Sequence, residues 1–207
     1  MDVAKMVGAV ARVVGTREQD GRPARVVVAR RRYAGASDEV WDALTNPERI
    51  PRWFLPISGE LRLGGRYQFT GNAGGTITQC DPPRALAVTW EHGGSVSWVT
   101  VRLSPAGDAT DLELEHVAHV DDAFWDQYGP GAVGVGWDMG LMGLAEHLTA
   151  APEVDPARAA AWGASAEGQA FVHASSESWA DASIAAGTPA AAARASAGRT
   201  TAFYTGG

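Results

Sequence analysis

Apolar and polar positions alternate most cleanly between residues 84 and 116. In DLELEH, Leu112, Leu114 and His116 fall on one face, with Asp111, Glu113 and Glu115 on the other. In SVSWVTVRL, Val99, Val101 and Leu103 oppose Trp98, Thr100 and Arg102. In RALAVTWE, Leu86, Val88 and Trp90 share a face. A period of two with one apolar side marks strands of a sheet that is wet on one face and buried on the other. Turn signals separate these runs: Gly64-Gly65 between GELRL and RYQF, then GNAGG, Pro82-Pro83, Gly93-Gly94 and SPAGDA. Consecutive hairpins predict an antiparallel meander. Upstream, RPARVVVARRRY reads as a strand whose poor alternation leaves its buried face open.

Helical spacing occurs elsewhere. Val3, Met6, Val7, Val10 and Val14 predict an amphipathic helix over 2–14, and GTREQDGRP a loop after it. Ser37 is a helix cap, with Asp38 and Glu39 in the first turn where the helix dipole favours acids. Val40, Trp41 and Leu44 form that helix's apolar face. Asn46-Pro47 opens a second helix, which Pro51 keeps short. Between Asp121 and Thr149, broken at Gly129-Pro130-Gly131, a stripe of Val133, Trp137, Leu141, Leu144 and Leu148 predicts a long helix covering the apolar side of the sheet. That helix also holds Gly134, Gly136, Gly140 and Gly143. Each costs about 1 kcal/mol against alanine. Several together imply close approach of a neighbour, although simple packing accommodates any one of them. Beyond Pro152, Phe171, Ser175, Trp179, Ala182 and Ala186 keep helical steps, Gly187 ends that helix, and Thr188-Pro189 begins another. Trp162, Phe171, Trp179, Phe203 and Tyr204 set this tail apart from disordered chain. Two or three helices docked on the domain or on a second subunit are expected.

Composition narrows the chemistry. The 207 residues carry a formal charge of −7 and a pI near 5.2, which argues against nucleic acid as a partner. Arg30-Arg31-Arg32 is too short to change this. Cys80 is the only cysteine, which excludes an internal disulfide and a multi-cysteine metal site and fits a reducing compartment. It is expected to be a buried, inert thiol. With no signal-peptide pattern and no long apolar run, a cytoplasmic protein without a membrane partner is expected. Neither GxSxG nor a P-loop occurs, and GVGWDMG lies inside a predicted helix, the wrong place for a dinucleotide fingerprint. His116 and His119, with Asp121 or Asp122, could ligate a metal only if the strand ended between the histidines, because strand positions three apart face opposite ways. No metal, cofactor or catalytic residue is expected. Asp138 reads as a solvated helix residue, and Asp111 and Glu115 as outward-facing.

Five stretches carry a family resemblance: VWDALTNPERIPRWF (Val40–Phe54), LRLGGRYQF (Leu61–Phe69), GTITQCDPPRALAVTWE (Gly75–Glu91), LELEH (Leu112–His116) and FWDQYGPGAVGVGWD (Phe124–Asp138). Over about residues 22–150 the chain resembles the START-like, birch-pollen-allergen-like SRPBCC superfamily. Within it, the chain is closest to the branch of homologues of the activator of the ninety-kilodalton heat-shock protein ATPase. The last stretch resembles a bacterial subgroup. The resemblance implies an α+β helix-grip fold, an antiparallel sheet wrapped around a long C-terminal helix. Its domain would occupy 22–150, after an N-terminal helix and loop (1–21) and before an Ala-rich helical extension (151–207). It also implies a groove between sheet and helix, closed at one end by the short helices.

Trp53, Phe54, Tyr67, Phe69, Trp90, His116, Trp137, Met139 and Met142 are the residues expected to line that groove, although aromatics at these positions would equally fill a core. Indole and phenol side chains suit a pocket with an apolar body and a polar tip. The expected function is non-catalytic binding of an apolar or aromatic small molecule. One alternative is an interaction module regulating a chaperone ATPase. Another is a cyclase-like enzyme using His116 and Asp138. The fold hosts all of these classes, so it does not choose among them. A homodimer formed through the extension is the alternative to its docking within one chain.

Overall fold

A computed structural model describes residues 2–149 and 161–206. Eight strands form one sheet: β1 (Val10–Gln19), β2 (Arg22–Ala34), β3 (Ile57–Gly59), β4 (Arg66–Phe69), β5 (Gly74–Asp81), β6 (Ala85–His92), β7 (Ser95–Ala106) and β8 (Ala109–Ala118). The sheet is antiparallel, in the order β1-β2-β8-β7-β6-β5-β4-β3. The helices are α1 (Val3–Gly8), α2 (Ser37–Thr45), α3 (Asp122–Tyr128), α4 (Gly131–Leu148), α5 (Ala166–Ala185) and α6 (Ala190–Thr205), with a 3-10 turn at Ile50–Arg52. Among the described residues, no helix is long and apolar enough to cross a membrane. The chain divides into two compact units. One comprises Met1–Ala29, His119–Met139 and Asp155–Gly207, the other Arg30–Ala118 and Gly140–Val154.

The second unit holds the meander, and its register follows the alternation in the sequence. Leu86 pairs with Val101 and Val101 with Leu114, while Val88 pairs with Val99 and Val99 with His116. The apolar residues of three strands therefore share one face. On β2 and β8, Arg30 pairs with Glu113 and Arg32 with Asp111, both at 2.7 Å. Two expectations change. GELRL does not continue a strand beyond Gly59: Arg62 N donates to Glu60 O and Gly65 N to Arg62 O, both at 2.8 Å, so Leu61 and Leu63 lie in turns. Instead of a helix, Asn46-Pro47 opens a turn in which Asn46 Oδ1 accepts from Glu48 N at 2.9 Å, and only the 3-10 turn follows.

In the first unit the helix expected over 2–14 stops at Gly8, and Val10 begins a strand. β-Branched valines favour the pleated backbone. Asp20 and Gly21, at φ 49° and 73°, make the two-residue hairpin turn that joins β1 to β2, so GTREQDGRP is mostly strand. The poor alternation of β2 has a physical origin: Val26, Val27, Val28 and Ala29 are all buried, so both faces are covered there.

The C-terminal helices α5 and α6 pack together through Ala180, Ala193 and Ala197. Ser165 caps α5 by accepting from Gly168 N at 3.1 Å. The side chains of α6 satisfy carbonyls that α3 leaves open at its C-terminal end. Ser196 Oγ donates to Asp126 O (3.1 Å), Arg199 Nε to Gln127 O (2.6 Å) and Thr200 Oγ1 to Tyr128 O (2.8 Å). Tyr204 is fixed by its hydroxyl on Ala132 O at 2.9 Å. Phe203 is exposed and touches the rings of Tyr128 and Tyr204.

Candidate functional site

In the second unit, five of the aromatics singled out from the sequence form one continuous set of ring contacts. The 3-10 turn delivers Trp53 and Phe54. Trp53 Nε1 donates to Ala43 O at 2.9 Å, and its own carbonyl lies so near α4 that a Cβ on Gly143 would come within 2.6 Å of it. Gly143 thus provides the close approach that the glycine-rich helix suggested. Trp53 touches Phe54 (5.6 Å between ring centroids), Phe54 meets Phe69 edge-on (5.0 Å), and Phe69 meets both Tyr67 (5.4 Å) and Trp90 (5.8 Å). Phe69 is the hub. Tyr67 is buried, its hydroxyl donates to Thr89 O at 2.8 Å, and burial pushes its pKa up. Trp53, Phe54, Phe69 and Trp90 stay half-buried, as do Leu86 and Val88.

A polar pair adjoins the ring set. Ser97 lies directly across from Trp90 in the β6/β7 register. Its hydroxyl donates to Trp90 O at 3.1 Å and lies 2.8 Å from His116 Nε2. His116 is 6% exposed. Burial pulls its pKa down to about 4, so the imidazole is neutral near pH 7. Ser97 was not foreseen, yet the Gly93-Gly94 turn fixes the register that places it beside Trp90. Met142 is buried on α4 in this unit. Trp137 and Met139 belong to the other unit, where both are half-buried.

Several other expectations are corrected. Asp138 is not solvated: it is 1% exposed. Its Oδ2 accepts from Arg12 Nε (3.0 Å) and Nη2 (2.8 Å), Ser175 Oγ (2.5 Å) and Trp179 Nε1 (3.1 Å). Burial pushes this carboxyl above its ordinary value, against the pull of Arg12 and the two neutral donors. Nothing local in the sequence signals this network, because its members come from β1, α4 and α5. Trp179 is also why Gly134 has no side chain, since a Cβ there would lie 2.3 Å from the indole. Cys80 is exposed, at the end of β5 beyond the register shift at Ile77/Gln79. His119 Nδ1 lies 3.0 Å from Pro23 O. Among the described residues, no three His, Cys, Asp or Glu side chains are grouped to hold a metal.

The first unit contains a half-open cavity of about 620 Å³ that the sequence did not suggest. Its walls come from α3, α5, α6 and the Gly129-Pro130-Gly131 elbow, with Ala180, Ala193 and Ala197 among its small residues and Trp125 and Tyr128 among its large ones. Arg25 lines it, its guanidinium over the Trp125 ring at 5.0 Å and bonded to Asp122 at 2.8 Å.

The sequence profile described as "Activator of Hsp90 ATPase homolog 1-like protein" matches residues 36–149. The chain belongs to this family. CalU16 from Micromonospora echinospora is similar to it. In its crystal structure CalU16 is 36% identical, with 84% of this chain and 98% of CalU16 covered and a TM-score of 0.65. In its solution structure the values are 35%, 86%, 97% and 0.71. DynU16, a putative protein in the dynemicin biosynthetic locus, shares the fold at 20% identity and a TM-score of 0.50, with 70% of this chain and 49% of DynU16 covered. No curated protein matches the chain. The aromatic set, Ser97, His116 and Asp138 lie inside the family span, whereas Arg12, Ser175 and Trp179 lie outside it. The likeness to CalU16 reaches beyond that span.

Proposed function

We propose that this member of the family binds an apolar or aromatic small molecule against the Trp53–Phe54–Phe69–Trp90 ring set, without transforming it. One observation carries the reading. Four large rings touch in series, yet they and the neighbouring Leu86 and Val88 are only half-buried. Rings in a sealed core bury their full area, whereas rings left partly open and held by fixed contacts present a preformed apolar surface to a ligand. The polar tips of Trp53 and Tyr67 already have backbone partners, so the rings offer mainly their faces and edges. Asp138 is committed to Arg12, Ser175 and Trp179, which leaves a cyclase-like use of that carboxylate without support.

Titration with an apolar fluorescent probe tests the proposal. Loss of one large aromatic contact costs about 1–3 kcal/mol, so Trp53→Ala and Trp90→Ala should each weaken binding by roughly 5- to 150-fold. Wild-type affinity in both variants would overturn the assignment.

A further inference from the structure

We infer that the half-open cavity of the first unit is a second binding site, that Ser176 Oγ donates the hydrogen bond that fixes a ligand there, and that the ligand is an uncharged, largely apolar molecule bearing a carbonyl oxygen. The cavity and the ring set lie in different units, so the fate of one site does not bear on the other.

A serine inside a helix ordinarily gives its hydrogen to the carbonyl one turn back. Ser178 of α5 does so to Ala174 O at 2.9 Å, and Ser196 of α6 to Ala192 O at 3.1 Å. The other serines of the cavity wall are bonded as well. Ser183 Oγ gives its hydrogen to Thr188 Oγ1 at 2.9 Å, and Ser196 Oγ also reaches Asp126 O. Ser176 departs from this pattern. It lies in the middle of α5, is 1% exposed and lines the cavity. Among the described residues, its Oγ has no hydrogen-bond partner. A buried hydroxyl in that condition is costly, and most such groups in folded proteins are satisfied by protein, water or ligand. The cavity beside it is the space from which a partner can come. Its volume of about 620 Å³ falls within the range of ordinary ligand pockets, about 300–1,000 Å³. Close packing leaves few gaps larger than a water molecule. This one stays open because α5 and α6 face it with Ala180, Ala193 and Ala197.

Charge decides the class of ligand. The wall carries one residue of each sign, Arg25 and Asp126, and so has no net charge. Asp122 already holds Arg25 at 2.8 Å. A carboxylate ligand would compete with Asp122 for the guanidinium and stand near Asp126, in a chain whose formal charge is −7. An ammonium ligand would face Arg25. A neutral molecule meets neither penalty. The open polar groups then select its polar atom. Arg25 gives a single N–H to Asp122, keeps the rest of its fork of donors among the described residues, and has no acceptor to offer. Ser176 still has its hydrogen to give. Both groups are satisfied by an acceptor that brings no hydrogen of its own, and a carbonyl oxygen is the common neutral group of that kind. The Arg25 side chain is 31% exposed against 1% for Ser176. The guanidinium therefore stands at the open side of the cavity and the hydroxyl at its closed side. The carbonyl is the leading end of the ligand, and the apolar body lies against the alanines, Trp125 and Tyr128.

Three probes of one shape test this: 2-acetylnaphthalene, 2-ethylnaphthalene, which lacks the oxygen, and 2-naphthoate, which carries a charge. Each is titrated near pH 7 into the full, isotopically labelled chain. Binding is read from the amide signals of Gly129, Gly131 and Gly187, which line the cavity. A single neutral hydrogen bond corresponds to about a ten-fold preference. The ketone should therefore bind about ten-fold more tightly than the hydrocarbon, and the naphthoate more weakly than the ketone. Ser176→Ala, which places a better helix former in α5, should bind the ketone and the hydrocarbon equally. Equal wild-type affinities for these two, a preference that survives in Ser176→Ala, or tighter binding of the naphthoate than of the ketone would overturn the inference. Silence of the three glycine signals with every probe would overturn the cavity as a binding site and leave the ring set to be judged by its own variants. The wild-type comparison decides the matter even if the alanine variant does not fold.

Discussion

Replacing Asp138 by alanine should cost about 3 kcal/mol of folding stability, the lower end of the range for breaking a buried ion pair from one side. The estimate starts from the four donors on Oδ2: two from Arg12, one from Ser175 and one from Trp179. Alanine leaves a guanidinium whose side chain is 5% exposed without its counter-charge. It also leaves a buried serine hydroxyl and indole N–H to find other acceptors. The loss stays near the lower end because Arg12 keeps bonds to Val10 O at 2.8 Å and Val7 O at 3.1 Å. A domain of this size has about 5–15 kcal/mol in total, so the change is large. The paired substitution Arg12→Met with Asp138→Leu removes both charges and should be much less damaging than the sum of the single changes. Urea unfolding at pH 7, followed by tryptophan fluorescence, measures each corner of the cycle, and Trp179 reports on the site itself. A loss below about 1 kcal/mol in Asp138→Ala, or a double variant as unstable as the summed singles, would show that this cluster does not hold α5 in place.

Two further outcomes follow from α4 and from β8. Gly134→Ala should lower the melting temperature, because its Cβ would lie 2.3 Å from the Trp179 ring. Gly140→Ala meets Phe54 at 3.7 Å and should raise it by gaining up to about 1 kcal/mol of helix propensity. Shifts of the same sign in the two variants would contradict the packing described. Stability should also fall as pH drops from about 6.5 to 4. The unfolded chain protonates His116 near its ordinary value of 6.5 while the folded chain waits until about 4, so the unfolded state binds more protons in that window. The contribution is on the order of 3 kcal/mol. It should vanish in His116→Gln when urea midpoints at pH 7.5 and 4.5 are compared, and an equal decline in both proteins would refute it.

The meander was legible because one side of it is wet. Leu112, Leu114 and His116 alternate against charged neighbours, and the register keeps them together. The N-terminal segment misled for a definite reason. Val3, Met6, Val7, Val10 and Val14 satisfy a helical period, but the valines after Gly8 gain ladder bonds in a hairpin whose Asp20-Gly21 turn was present in the sequence and carried too little flanking alternation to stand out. The aromatic set was legible as residue types, and its connectivity was not, because Phe69 becomes the hub only after the 3-10 turn brings Phe54 to it. Ser97 could have been found by counting outward from Gly93-Gly94. Asp138 could not. Its partners lie 126, 37 and 41 residues away along the chain, and no local pattern encodes them.

That separation has a consequence for biosynthesis. Arg12 is made 126 residues before Asp138, and α5 follows later still. At about 5–20 residues per second, the ribosome delivers the carboxylate roughly 6–25 seconds after the guanidinium. Through that interval α1 and β1 lack the cover that α5 will give them, while the meander of Arg30–Ala118 is being synthesised. Arg12 and its neighbours on α1 and β1 are therefore made before residues 30–149 and reach their final surroundings after them. The nascent chain passes through a stage in which α1 and β1 are open to any factor working at the ribosomal exit.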